Sequence, residues 1–151
     1  MSSPDDIPLL FSSPARVRKA ELRQFLADLT RRITRGREIS CLIANDAELR
    51  RLNKTFRKQD HPTDVLSFPT GEGEESAGDL AISIDRARAQ AAEHRHSLDI
   101  ELRILMLHGA LHLAGMDHER DAGEMARAET RWRKRLQLPT GLIERNIEAK
   151  S

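Results

Sequence analysis

The stretch Ile104–Gly115 constrains this chain more than any other. It reads ILMLHGALHLAG, apolar around nearly its whole circumference yet carrying His108 and His112 four residues apart. Side chains at that spacing project from one face of a helix. A helix apolar nearly all round belongs in the middle of a domain, so both imidazoles are expected inside, where a polar ring without a partner is costly. Gly115 suits the left-handed conformation that ends a helix. The turn it permits would swing His118 back towards the other two.

Three neutral imidazoles in the order H-x-x-x-H-x-x-G-x-x-H suit one Zn²⁺ per chain and leave its fourth tetrahedral position for water or substrate. That predicts a catalytic rather than a structural metal, with a zinc-bound water whose pKa is brought down to about 7. The spacing is that of a large class of zinc peptidases. Those enzymes carry their general base, a glutamate, directly after the first histidine. Here that residue is Gly109, which argues against ordinary proteolysis. Asp117, beside His118, either orients an imidazole or serves the turn. His61, His94 and His96 lack ligand geometry and are expected at the surface.

At 151 residues the chain suits one domain, 1–151. Hydrophobic residues make up 38% and charged residues 32%, enough for one core under a heavily solvated surface. The net charge of +1 demands no nucleic-acid partner, so any such reading must rest on local patches. Three basic clusters exist: Arg31, Arg32, Arg35 and Arg37; Arg50, Arg51, Lys54, Arg57 and Lys58; and Arg131, Arg133, Lys134 and Arg135. The first and third read as solvated helix faces. Aromatic residues are 3%, too few for sequence-specific base stacking by this chain alone. The single Cys41 excludes an internal disulfide and reads as a small buried hydrophobe. With no leader-like N-terminus and no run long enough to span a membrane, the expected location is the cytoplasm.

Alternation and capping residues divide the chain into a strand at Ile7–Phe11, a helix starting at Ser13-Pro14 and stopped by Gly36, and a strand at Glu38–Ala44. A helix capped by Asn45 or Asp46 follows, then a loop over Lys58–Asp64 and a brief strand at Val65–Phe68. The stretch Thr70–Ala77 reads as a flexible connection. A strand at Leu80–Ile84 should bury Leu80, Ile82 and Ile84 and expose Ala81 and Ser83. Asp85 then caps a helix to about His94, a central helix runs from Ser97 or Asp99 to Leu113 or Ala114, and a last helix covers Ala122–Leu136. The expected architecture is α+β: a small mixed four-stranded sheet packed with about five helices, its zinc site on the central helix and the loop after it.

Three further runs carry a resemblance: Asn53-Lys-Thr-Phe-Arg57-Lys-Gln-Asp60, then Thr63-Asp64-Val65-Leu66-Ser67-Phe68-Pro69, then Gly78-Asp79-Leu80. With HGALHLAGMDH and a following helix bearing Glu124, Met125 and Glu129, they closely resemble the YbeY family of bacterial rRNA-maturation endoribonucleases over residues 39–136. The resemblance implies a zinc-dependent, single-strand-specific endoribonuclease acting in small-subunit rRNA 3′-end maturation and ribosome quality control. Its partners would be single-stranded RNA, the small ribosomal subunit and assembly factors. It implies His108, His112 and His118 as zinc ligands and Arg57 as the basic residue of an RNA cleft. Met116 stands where the family often has Tyr, and Ile104 where many members have a further His.

Arg57 is read as a phosphate contact, the alternative being a helix-end ion pair with Asp60 or Asp64. Arg50, Arg51, Lys54 and Lys58 would extend a basic track. The general base is open between zinc-bound hydroxide, a substrate hydroxyl and a carboxylate. Thr63, Asp64 and Ser67 read as structural. Two other functions compete: a zinc metallopeptidase-like hydrolase, and a zinc-bearing ribosome-assembly factor without catalysis.

Overall fold

Strands and helices alternate along the first half of the chain and helices dominate the second. The elements are β1 (Leu9–Phe11), α1 (Lys19–Arg32), β2 (Glu38–Ala44), α2 (Asp46–Arg57), β3 (Val65–Pro69), β4 (Ser76–Ser83), α3 (Ile84–Glu93), α4 (Leu98–Leu113) and α5 (Glu124–Arg135). The computed structural model describes residues 7–57, 63–70, 73–117, 120–139 and 143. The sheet runs β1-β2-β4-β3. β1 and β4 flank β2 in parallel, and β3 closes the far edge antiparallel to β4. The described residues thus form the α+β domain with a mixed four-stranded sheet and five helices that the sequence predicts.

The sheet is covered on both faces. Leu9, Ile39, Cys41, Ile43, Leu80 and Ile82 join Leu22, Leu26 and Leu29 of α1 and the apolar residues of α4 in one core. On the opposite face Ala44, Leu66 and Ala81 meet Leu49 of α2, with Leu42, Leu52 and Phe68 packed alongside. Ala81 and Ser83 are therefore buried, against the expectation that they face solvent. An inner strand between β2 and β3, covered by helices above and below, has no solvent side. α2 does not reach across the whole face: a trough of about 420 Å³ beside it is lined by Leu10, Leu42, Leu52, Phe56 and Phe68.

Several boundaries differ from the expected ones, each through a contact distant in sequence. α1 starts at Lys19 rather than Ser13-Pro14, and its entry is fixed by the carboxylate of Asp99, which accepts the Arg18 N–H at 2.9 Å. β4 begins at Ser76, inside the stretch expected to be a flexible connection. There a bulge lets Glu38 pair with Ser76 and Ile39 with Gly78. Gly78, at φ +137°, sits where a Cβ would collide with the carbonyl oxygen of Phe68 and approach Leu113 to 2.9 Å. The residue is what lets β3, β4 and the end of α4 close together.

α3 is capped by Ser83, whose Oγ accepts the Arg86 N–H at 3.2 Å, not by Asp85. Asp85 instead accepts the N–H of Asp46 at 2.8 Å, at the start of α2. Of the two residues expected at each start, Asn45 caps α2 and Ser97 caps α4, accepting the Glu48 and Ile100 N–H groups. α5 starts at Glu124, two residues after the expected start, behind Gly123 at φ +94°. Asp64 ties the entry to β3, accepting the Val65 N–H at 2.9 Å and the Gln90 amide at 3.2 Å, which supports its structural reading.

Cys41 is 2% exposed, and burial pushes its thiol up to about 12. The thiolate is the reactive form. The folded protein is therefore expected to resist thiol reagents at pH 8 and to titrate one thiol after denaturation, as a chromogenic thiol assay would show. Prompt labelling of the native protein would contradict this placement.

Candidate metal centre

α4 is buried almost from end to end, from Glu101 to Leu113. Its start is helped by Asp99 and Glu101 in the first turn and its end by Gly115 at φ +99°. There the Met116 N–H reaches back to the Leu111 carbonyl at 3.1 Å and the Gly115 N–H to that of His112 at 3.0 Å. These two bonds satisfy carbonyls that the helix end would leave open and turn the chain away from its axis. Beyond that turn the Asp117 carbonyl accepts the N–H groups of Arg120 and Asp121, and its carboxylate lies 3.6 Å from the Arg120 guanidinium.

The structure brings His108 and His112 together. Their ring centroids are 4.9 Å apart with the planes at 72°. His108 is 6% exposed and His112 is half-buried. His118 lies outside the described residues. The backbone of Arg57 ends α2, while its side chain lies outside what is described.

What fixes the His108 ring is a carboxylate on α5. Glu129 Oε2 lies 2.8 Å from His108 Nδ1, and both side chains are buried. The other carboxylate oxygen accepts the Ile143 N–H at 2.8 Å. A carboxylate only accepts hydrogen bonds, so the proton of neutral His108 sits on Nδ1 and Nε2 carries the lone pair. This arrangement, in which an acidic group orients and enriches a ligating imidazole, is the common support of a histidine metal ligand. The sequence names Glu129 only as part of the resemblance. Its signal is nonetheless present, because Met125, Ala128, Glu129 and Trp132 lie on one stripe of α5, and an acid within an apolar stripe needs a buried partner.

The two described imidazoles fit a shared metal. Zn–N bonds of about 2.0–2.1 Å at a near-tetrahedral angle put two ligating ring centroids about 5 Å apart, against 4.9 Å here. Gly109 turns to the sheet: a Cβ there would lie 2.6 Å from Leu80 Cδ2. The position that bears the base in zinc peptidases is thus used for contact between α4 and β4.

Other expectations on charged groups divide. His94 is exposed, as expected, and His61 lies outside the described residues. His96 is not a surface residue: its side chain is 11% exposed and its Nε2 lies 2.7 Å from Oε1 of the fully buried Glu101. On α2, Arg51 is committed to Glu48, whose carboxyl it holds below the ordinary range through a hydrogen bond. That weakens its place in the expected basic track, in which Lys54 remains exposed.

A family model described as Endoribonuclease YbeY matches residues 13–137. The chain belongs to the endoribonuclease YbeY family. An endoribonuclease YbeY from Solibacter usitatus is 53% identical over 146 residues, covering 96% of this chain and 98% of its own. Another from Koribacter versatilis is 55% identical over 112 residues, covering 74% of this chain and 72% of its own. The solution structure of a Thermotoga maritima protein superposes with a TM-score of 0.56 at 27% identity, over 82% of this chain and 84% of that one. The matched span contains every candidate residue, from Arg57 through His108, His112 and His118 to Glu129. Among the described residues no helix is long and apolar enough to cross a membrane.

Proposed function

We propose that this protein is a zinc-dependent endoribonuclease that cuts single-stranded RNA, acting in small-subunit rRNA 3′-end maturation and ribosome quality control in the cytoplasm. The observation that carries the reading is the buried Glu129–His108 pair beside His112, within a chain of the YbeY family. His108, His112 and His118 would hold the metal. When bound, zinc supplies Lewis acidity at the phosphodiester and lowers the pKa of a water.

The remaining work falls to the chain's own residues. Glu129 keeps the Nδ1–H tautomer of His108 and holds its ring in place against α5. Arg57 is assigned a bidentate contact with a substrate phosphate, where a planar guanidinium matches the oxygens and offsets charge growing on them. Family membership supports an RNA substrate, and Gly109 weighs against the peptidase alternative.

Purified protein offered labelled single-stranded RNA, the same RNA as a duplex, and casein decides between the readings. Cleavage of the single strand alone is expected, lost on chelation and restored by zinc, with about one zinc per chain. Cleavage of casein but not RNA would establish the peptidase instead. Bound zinc with neither activity would leave an assembly factor.

A further inference from the structure

Two basic clusters that are a hundred residues apart in sequence, roughly, meet in the fold. A cavity of about 460 Å³ opens between the end of α1, the end of α4 and α5, and Arg32, Arg35, Arg37, Arg131, Trp132 and Met116 are among its lining residues. We propose that this cavity is a second binding site for the single-stranded RNA substrate, with Arg32, Arg35 and Arg131 holding phosphates and Trp132 stacking one base. The inference rests on the endoribonuclease reading and extends it to a surface away from α2.

Helix-dipole complementation explains basic residues in the last turns of α1 and α5, namely Arg31, Arg32, Arg133, Lys134 and Arg135. It does not explain the cavity. Arg131 precedes the last turn of α5, and Arg35 lies beyond the end of α1. Arg35 holds φ +54°, as Arg95 and Gln137 hold φ +57° and +59° after α3 and α5, so its backbone belongs to the turn that ends α1. Among the described residues no carboxylate pairs with Arg32, Arg35 or Arg131. Arg37 lines the cavity but donates its guanidinium to the backbone carbonyls of Glu74 at 2.9 Å and Ser76 at 3.2 Å, so no phosphate is assigned to it.

The aromatic wall matters equally. Trp132 is the only tryptophan of the chain and is half-buried, with the Arg135 guanidinium 5.1 Å from its ring. A cationic groove with one aromatic platform is the arrangement that binds single strands without reading sequence, because every base has a face to stack. That agrees with the low aromatic content of the chain. Leu111, Ala114 and Met116, at and just beyond the end of α4, also line the cavity, so it shares the helix that carries His108 and His112.

The test uses the full chain with His112→Ala, so that a fluorescein-labelled oligoribonucleotide of mixed sequence is bound but not cut. Its anisotropy is followed across a salt series, and Trp132 emission is read in parallel with unlabelled RNA. Arg35→Asn keeps the left-handed backbone comfortable while removing a charge, and it is combined with Arg131→Ala. Removing two phosphate contacts should make the slope of log K against log salt shallower by about 1.4 and weaken binding roughly tenfold or more at ~0.1 M salt. Saturating RNA should quench Trp132 in the parent, and Trp132→Phe should bind more weakly with an unchanged salt slope.

Unchanged affinity and slope in the double variant would overturn the proposal, as would Trp132 emission indifferent to bound RNA. Failure of the parent to bind RNA would overturn it too. Poly-glutamate displacing RNA at equal charge without quenching would assign the cavity to an acidic protein and overturn the RNA reading. The singles repeat the test if the double variant fails to fold. Failure of the nuclease reading looks different: the wild-type chain would leave RNA uncut while anisotropy and quenching still report on the cavity.

Discussion

Replacing Glu129 with glutamine is expected to lower metal affinity about 10- to 100-fold, the usual cost of losing the group that orients a histidine ligand. The reason lies in the two demands made on one carboxylate. It accepts from His108 Nδ1 and from the Ile143 N–H, each at 2.8 Å. A glutamine amide has one accepting oxygen and a donating NH₂, so it satisfies one donor and faces the other with hydrogens. Either His108 loses its fixed tautomer or Ile143 keeps a buried N–H unpaired, at about 1–3 kcal/mol.

Glu129→Ala leaves two buried donors unpaired, the His108 Nδ1–H and the Ile143 N–H, and is expected to cost about 1–3 kcal/mol of stability for each as well. Competition against a chromogenic zinc chelator, with urea unfolding of the metal-free chain, separates the two effects. Excess zinc should restore loading and cleavage to the glutamine variant. If the glutamine variant binds zinc as the parent does, His108 is not oriented through Nδ1, and the assignment of Nε2 as the ligating nitrogen fails with it.

Glu129 also shows what a sequence discloses about a site. The histidine pair was legible because its signal is local: two imidazoles one helical turn apart in an apolar helix, followed by a glycine that ends it. β2 was legible for the same reason, a short β-rich run bounded by turn residues, and its Glu38–Ala44 limits match the expected ones. The cap of α4 at Ser97 follows the same local rule.

The misreadings have a common cause in contacts made across the chain. The start of α1 depends on Asp99 from the beginning of α4, so a serine-proline pair that would start a helix in isolation does not start this one. Asp85 has the chemistry of a cap for α3 but accepts the Asp46 N–H at the start of the neighbouring α2 instead, beside the Asn45 cap. The residues from Ser76 to Asp79, of which only Ala77 is an apolar core residue, form a strand because β2 and β3 offer partners on both sides, and no periodicity within the segment announces it. His96 reads as a surface residue until Glu101 is seen buried beside it. Local chemistry selects what a residue can do; the tertiary neighbour decides which option is used.

Gly109→Glu is expected to be the most damaging single change in the helix that carries the histidines. It would restore, at the level of sequence, the glutamate that follows the first histidine in zinc peptidases. In this fold the Cβ at 109 would lie 2.6 and 3.0 Å from the two methyl carbons of Leu80, itself 1% exposed. Alanine alone would overpack the α4–β4 contact, at about 1–3 kcal/mol, with about 1 kcal/mol returned by its better helix propensity. Glutamate adds a carboxylate with no polar partner in that apolar contact, so a loss of about 4 kcal/mol or more is expected. For a domain of ordinary stability, about 5–15 kcal/mol, that removes much of the margin. Urea midpoints for the parent, Gly109→Ala and Gly109→Glu should fall in that order, without any gain of proteolysis. A glutamate variant as stable as the parent would show that α4 can draw back from β4. One that also cleaved casein would show that the peptidase chemistry was excluded by this residue alone, and not by the direction in which the fold points it.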